Sequence, residues 1–294
     1  MIITIPTHNR NAHKLQKSIK YIPEEFHHRV YFFTDQSQVT ELEKVVPKSC
    51  KIVPVPSDLG VKGISGKRQF IVDWAFENNF QKVWQIDDTL KFCTNIGPRD
   101  DNQGPRLLTS TLDDMRRFFK EIEEKLENYP IVGNLNRAGT YQQRIDSKDT
   151  YEDFENARIY SSIAVRTDIL KENNLRFDYL QVLYKDDSLS LMEDYALLLQ
   201  TIQAGFKTLQ LGSFCFDKES FSGKGGCSDE RNLQRQKKIC LKMEETFPGL
   251  VKAIEAKDKL KSETVGWNVR ISWAKLKETK NNEDSSKTPD LSEW

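Results

Sequence analysis

Cysteine is scarce in this 294-residue chain, and what there is does not pair. Cys50, Cys93, Cys215, Cys227 and Cys240 are five in number, scattered, with no CxxC spacing. An odd, dispersed set argues against a disulfide framework or a zinc site and for a reducing cytoplasm. No apolar run approaches the ~20 residues a bilayer-spanning helix needs, so no membrane partner is expected. The opening Met-Ile-Ile-Thr-Ile is too short for a signal peptide and lacks a basic leader. Net charge is missing too. Lys+Arg and Asp+Glu number 44 each, which excludes a protein held to nucleic acid by bulk electrostatics, though not a local basic face. There is no internal repeat. The remaining composition, 37% apolar and 30% charged, suits one large or two small globular domains with a real core.

What the chain has is alternation. Ile2–Ile5 reads as a strand closed by Pro6 and the loop Thr7-His8-Asn9-Arg10, and Asn11 is placed to cap a helix to about Ile22. Val30–Thr34 is a second strand ending at Asp35, Glu41–Val46 a short helix and Lys51–Val55 a third strand. The glycine-rich Gly60–Gly66 then leads into a helix over Lys67–Asn78, and Val83–Ile86 is a fourth strand. Strand–helix alternation implies an α/β fold with a mainly parallel sheet and ligands at the carboxyl ends of its strands. Asn9, Asp35, Arg68 and Asp87-Asp88 all fall at or just after such ends.

Farther on, Leu112–Asn128 is a charged amphipathic helix whose Met115, Phe118, Phe119, Ile122 and Leu126 read as core. Ile131–Leu135 and Ser161–Val165 are strands around a long polar stretch, Asn136 to Glu155, of lid or binding-loop length. Leu175–Asp178 leads through a turn to Glu193-Asp194, which opens a helix ending at Gly205. Lys207–Leu211 and Ser213–Phe216 are extended. From residue 217 to 280 the balance shifts to fifteen Lys/Arg against ten Asp/Glu. This stretch contains the loop Ser222–Gly226 with Lys224, and a helix from about Glu230 to Thr246 bearing Arg231, Arg235 and Lys238. The expected division is residues 1–226 as the main domain and 227–278 as a basic helical extension packed on it. Residues 279–294 read as a disordered polar tail.

Two adjacent carboxylates at the end of a buried strand, Asp87 and Asp88, call for a compensating cation. A divalent ion carrying a diphosphate supplies one, since Mg²⁺ and Mn²⁺ take carboxylate and phosphate oxygens. Asp-Asp at a strand end is equally ordinary turn chemistry. Lys67 or Arg68 would neutralise phosphate and Glu193 or Asp194 would act as general base. The plainer accounts are an ion pair on a helix face for Arg68 and helix-N-terminal acids for Glu193-Asp194.

In order, these motifs are a Pro-Thr-x-Asn-Arg loop, a strand ending in Asp and a glycine-rich turn into Lys-Arg. A strand ending Trp-Gln-Ile-Asp-Asp-Thr, Phe-Asp, a Glu-Asp helix and Gly-Phe-Lys-Thr follow. The set resembles a GT-A fold glycosyltransferase from Met1 to about Gly226. Together with the terminal Gly-Lys-Gly-Gly it is most similar to the TET-associated glycosyltransferases, phage-type enzymes thought to glycosylate hydroxymethylated pyrimidines in DNA. The resemblance implies that Pro6, Thr7, Asn9 and Arg10 belong to the nucleotide pocket, with Asp35 facing the base and Lys67 and Arg68 at the diphosphate. It implies that Asp87 and Asp88 bind ribose and a Mg²⁺ or Mn²⁺ ion, and that Asp194, or Glu193 beside it, is the base. Lys224 would close over the donor phosphates. Thr89 departs from the pattern, because relatives commonly carry an acid there and a hydroxyl is a poorer metal ligand.

The expectation is therefore a hexosyl-transferring enzyme with a nucleotide-sugar donor, UDP-linked, and a hydroxymethylated pyrimidine in DNA as acceptor, working by inversion. If the chain is phage-encoded, its compartment is the host cytoplasm. Arg231, Arg235 and Lys238 would meet DNA phosphates, and Trp267, Trp273 or Tyr141 would stack an extruded base. Basic helices are more commonly solvated faces, and terminal tryptophans more commonly anchors to a core. A transferase acting on a glycan or protein, a nucleotidyltransferase and a non-catalytic DNA-binding protein are the alternatives.

Overall fold

Alternate residues of the first strand face opposite sides of one sheet, which sets up the two main cores. The computed structural model describes residues 1–7, 17–57, 63–98, 105–137, 153–218, 232–255 and 266–278. Ile3 and Ile5 of strand β1 (Ile2–Pro6) join one core, while Ile2 joins the other. Strand β2 (Val30–Asp35), helix α1 (Val39–Glu43), strand β3 (Lys51–Val55), helix α2 (Gly63–Glu77) and strand β4 (Lys82–Ile86) follow in the expected alternation. Helices α1 and α2 begin a few residues earlier than their periodicity suggested. Gly63 enters α2 at a φ of +66°, which a side chain would resist. The helix expected to reach Ile22 ends at Ile19 among the described residues; its cap, Asn11, lies outside them.

Two strands absent from the expectation come next, β5 (Leu90–Pro98) and β6 (Pro105–Thr109). Helix α3 (Leu112–Lys125) starts with a capping box, Thr111 Oγ1 accepting the Asp114 N–H while the Asp114 carboxylate accepts the Thr111 N–H. Its Met115, Phe118, Phe119 and Ile122, with Leu126 just beyond, are buried, each such residue contributing about 1.5–3 kcal/mol. Then come β7 (Ile131–Asn136), β8 (Phe154–Glu155), β9 (Ser162–Arg166), the short helices α4 (Thr167–Glu172) and α5 (Tyr179–Tyr184), and α6 (Glu193–Gln203). A single strand, β10 (Thr208–Lys218), replaces the two extended pieces expected there, with an irregularity between Leu211 and Cys215.

The strands form one ten-stranded sheet in the order β3-β2-β1-β4-β9-β7-β10-β5-β6, with β8 also on β10. β1 to β4 pair in parallel, as do β7 and β10, while β5, β8 and β9 run against their neighbours. The α/β class expected from the sequence holds. Trp84, Phe92, Phe118 and Phe216 fill one core, and Ile71, Val72, Ile163, Leu197 and Leu198 the other. Gly133 allows a close approach within this frame. A Cβ there would lie 2.2 Å from Ile159 Cγ2 and 2.7 Å from the Ser162 carbonyl oxygen. Its absence lets the segment before β9 lie against β7.

The basic C-terminal segment is helical in part. Helix α7 (Leu233–Thr246) is followed by an antiparallel pair, β11 (Val251–Glu255) and β12 (Trp267–Ile271), and by α8 (Trp273–Glu278). Ile239, Met243, Phe247, Val251 and Leu276 share a third core with Tyr179, Leu180, Leu189, Leu191, Ala196, Leu199 and Ile202. The segment therefore forms the back wall of α6. The tail expected to be disordered lies outside the described residues. Among the described residues, no helix is long and apolar enough to cross a membrane.

Candidate active site

The carboxyl ends of β1, β2 and β4 bring the expected residues to one edge of the sheet in two groups. In the first, Pro6 closes β1 opposite Phe33, and the Thr7 N–H continues the ladder onto the Phe33 carbonyl at 2.9 Å. Lys67, buried in α2, donates to the Thr7 carbonyl and to Asp35 Oδ1, both at 3.0 Å. Lys67 thus ties two strand ends together, and phosphate would have to compete with those oxygens.

The second group is built on Arg68, whose side chain is 1% exposed. Its Nη2 donates to Asp87 Oδ1 at 2.8 Å, its Nε to Glu193 Oε1 at 3.2 Å and its Nη1 to Gln85 Oε1 at 3.5 Å. Asp194 Oδ1 lies 3.7 Å from the same Nε. The guanidinium packs 5.8 Å from the Phe177 ring centroid, and Gln85 Nε2 donates back to the Arg68 carbonyl at 3.2 Å. A buried cation of this kind is tolerated only because its donors meet carboxylates.

Lys218, at the last position of β10, completes the cluster and was not anticipated. Its Nζ donates to Asp87 Oδ2 at 2.5 Å and to Ser161 Oγ at 3.0 Å. Ser161, with a φ of +61°, turns its N–H to Asp194 Oδ2 at 3.1 Å and accepts the Asp87 N–H on its carbonyl at 2.9 Å. Asp194 Oδ1 is buried with no hydrogen-bond partner among the described residues. Met192, at a φ of +62°, enters α6 and sets Glu193 and Asp194 in its first turn.

Two cations thus face three carboxylates. Asp87 resists the upward pull of burial because Lys218 and Arg68 hold it ionised, down to about 2. Burial pushes Glu193 up to about 7, the Asp194 charge adding to the rise and Arg68 opposing it. Burial also raises Asp194, with Arg68 pulling the other way. At neutral pH the Glu193–Asp194 pair therefore holds a proton more readily than ordinary carboxylates.

The turn after β4 is held by Ser18, whose Oγ donates to the Asp87 carbonyl at 2.7 Å and accepts the Leu90 N–H at 2.8 Å. Asp88 and Thr89 within it are buried. The expected metal role does not fit Asp87, both of whose oxygens are taken by Arg68 and Lys218. Thr89 offers a hydroxyl where the family resemblance implies an acid. Among the described residues, no group of three His, Cys, Asp or Glu side chains could hold an ion.

Asn9, Arg10, Lys224 and Arg231 lie outside the described residues, as do Tyr141 and the glycine-rich Ser222–Gly226. Arg235 and Lys238 are placed on the loop that leads to α6. Arg235 Nε donates to the Ser188 carbonyl at 2.7 Å and its Nη2 to the buried Ser190 Oγ at 2.6 Å. Lys238 pairs with Asp186 and donates to Ser188 Oγ at 3.1 Å. Trp273 packs on the second and third cores, and Trp267 lies under Lys237, 5.0 Å from its Nζ. The sequence held no local sign of Lys218 or Ser161, since their partners lie 131 and 33 residues away.

The TET-Associated Glycosyltransferase family matches this chain over residues 1–226. The chain belongs to that family and is a glycosyltransferase. No curated protein matches it. Among solved structures, TarS of S. aureus in complex with UDP-GlcNAc is 13% identical with a TM-score of 0.47, over 83% of this chain and 67% of that one. GalNAc-T7 with UDP, GalNAc and Mn²⁺ is also 13% identical, with a TM-score of 0.42, over 74% of this chain and 43% of that one. Mannose-1-phosphate geranyltransferase from Thermus thermophilus is 8% identical with a TM-score of 0.43, over 81% of this chain and 78% of that one.

Proposed function

We propose that this glycosyltransferase moves a sugar from a nucleotide-sugar donor, a UDP-sugar, to the hydroxymethyl group of a modified pyrimidine in DNA. Transfer would be by single displacement with inversion. The observation that carries the reading is the carboxylate oxygen of Asp194 that has no hydrogen-bond partner among the described residues, buried beside Arg68 at the carboxyl edge of the sheet. In this reading the acceptor oxygen bonds to the anomeric carbon as the bond from that carbon to the diphosphate oxygen breaks. The nucleoside diphosphate leaves with the electron pair, and the acceptor proton passes to Asp194 Oδ1. Arg68 holds Glu193 and Asp87 in place, and the Ser161 N–H fixes the other Asp194 oxygen, so that the base is preorganised. Thr7, Asp35 and Lys67 form the donor side. Mg²⁺ or Mn²⁺, expected from the acidic pair, keeps only Asp88 of that pair as a carboxylate ligand here.

The DNA acceptor rests on the family and on the basic composition after residue 217. It draws no support from Arg235 and Lys238, which bind the loop before α6. A glycan or protein acceptor would use the same donor side.

The test is transfer onto DNA containing 5-hydroxymethylcytosine or 5-hydroxymethyluracil from a panel of UDP-sugars, read by nucleoside mass spectrometry. A gain of one sugar mass on the modified base is expected. UDP release without that gain would keep the transferase and discard the DNA acceptor.

A further inference from the structure

The cluster at Asp87 carries a consequence for how the leaving group is neutralised. Transfer to a hydroxyl leaves negative charge on a diphosphate, and some cation must meet it. The two cations on Asp87 differ in reach. Arg68 is sealed, with its side chain 1% exposed, whereas that of Lys218 is 25% exposed. Lys218 closes β10 directly beside Leu90, its cross-strand partner on β5. It therefore stands over the turn that bears Asp87 and Asp88. Its contact with Ser161 Oγ links it, through the Ser161 N–H, to Asp194. A cation held at the acidic strand end, and joined through Ser161 to the candidate base, is placed to supply the positive charge that a departing diphosphate needs.

We propose that Lys218 is a catalytic residue whose ammonium, anchored by Asp87 and Ser161, binds the departing diphosphate and does the charge neutralisation expected of a metal at Asp87. The inference rests on the nucleotide-donor reading above. In the transfer step the anomeric carbon–oxygen bond breaks toward the diphosphate, whose new negative charge is met by Lys218. The acceptor proton goes to Asp194, and Lys218 keeps its own protons. Asp87 serves as the anchor of a fixed cation, which explains how a strand end can place both its oxygens on side-chain donors. Replacing Lys218 by a neutral residue would uncover Asp87 Oδ2 and turn it into an oxygen open to a divalent ion.

The test is binding of UDP, with GDP, CDP and ADP alongside, to the full chain by calorimetry in EDTA and in Mn²⁺. Mn²⁺ uptake is followed by electron paramagnetic resonance. Wild type should bind its preferred nucleotide about equally in both conditions. Lys218→Ala should bind it about tenfold or more weakly in EDTA, the loss expected for one charge-assisted contact. Mn²⁺ should restore that binding, with Mn²⁺ uptake that disappears again in the Lys218→Ala, Asp87→Asn double variant. Lys218→Arg, which keeps the charge, should stay independent of Mn²⁺. Circular dichroism reports whether each variant is folded, and the wild-type comparison stands without any variant. Wild-type binding that vanishes in EDTA, or a folded Lys218→Ala that loses nothing there, overturns the inference while leaving the donor reading intact. No nucleotide bound under either condition overturns the donor reading and the inference with it.

Discussion

Ser161 donates its backbone N–H to one carboxylate oxygen of Asp194 at 3.1 Å, and the other oxygen of Asp194 is buried without a hydrogen-bond partner among the described residues. One oxygen is thus fixed and the other left without a hydrogen bond, an asymmetry that suits a general base. Glu193, one residue earlier, is instead engaged by Arg68 at 3.2 Å. Asp194→Asn should lower kcat by roughly 10²- to 10⁴-fold and leave nucleotide binding near wild type. Steady-state kinetics and calorimetry on the same preparation check this, and equal losses in kcat and in nucleotide affinity would refute it.

Glu193 makes stability depend on pH. Its ordinary value is 4.5, and burial beside Asp194 raises it to about 7 in the folded chain. Between those values the folded chain keeps a proton that the unfolded chain has lost, so the contribution is full below 4.5 and is lost as pH rises through 7. Glu193→Gln is neutral throughout. The Tm of the variant relative to wild type should therefore rise between about pH 5 and about pH 8, and a constant difference would count against the assignment.

Arg68 faces three carboxylates at once, the buried Glu193 and Asp194 and the partly buried Asp87. Removing it leaves Asp87, Glu193 and Asp194 facing only Lys218, a situation that costs about 3–5 kcal/mol for a buried pair. Arg68→Ala should lower the midpoint of urea unfolding accordingly. Lysine at that position keeps the charge without the guanidinium's fork, so Arg68→Lys should recover only part of the loss. Unchanged unfolding of Arg68→Ala would mean that the cluster is hydrated and not truly buried.

Arg235 distinguishes a nucleic-acid contact from a structural one. It donates to the Ser188 carbonyl and to the buried Ser190 Oγ. Arg235→Ala should therefore cost about 1–3 kcal/mol, since both oxygens lose a charged donor. If DNA binds, the slope of log affinity against log salt should be the same in Arg235→Ala as in wild type. A phosphate contact would lower it by about 1. A decrease of that size with unchanged stability would return Arg235 to the DNA face.

The sequence by itself determined the elements whose signal is local. β1 to β4 and α2 were legible because apolar runs alternate with capped, periodic stretches. α3 was legible because its buried face recurs at helical spacing. β5 was not anticipated although Leu90 and Phe92 are buried about an exposed Lys91; it follows β4 after only the three-residue Asp87–Thr89 turn. α4 and α5 are each six residues long, too short for periodicity to declare them. The acidic strand end, Arg68 and the Glu193-Asp194 pair were likewise visible as charged residues at element ends. Their partnership was not. Arg68 meets Glu193 across 125 positions, a distance closed where Ile71 and Val72 of α2 share a core with Leu197 and Leu198 of α6. Lys218 meets Asp87 across 131, a distance closed by the return of β10 beside β5. The direction of Arg235 and Lys238 was also settled by packing, once Ile239, Met243 and Phe247 turned α7 onto the wall of α6. Periodicity is a property of neighbours along the chain, whereas the pairing of buried charges depends on which distant segments the cores bring together.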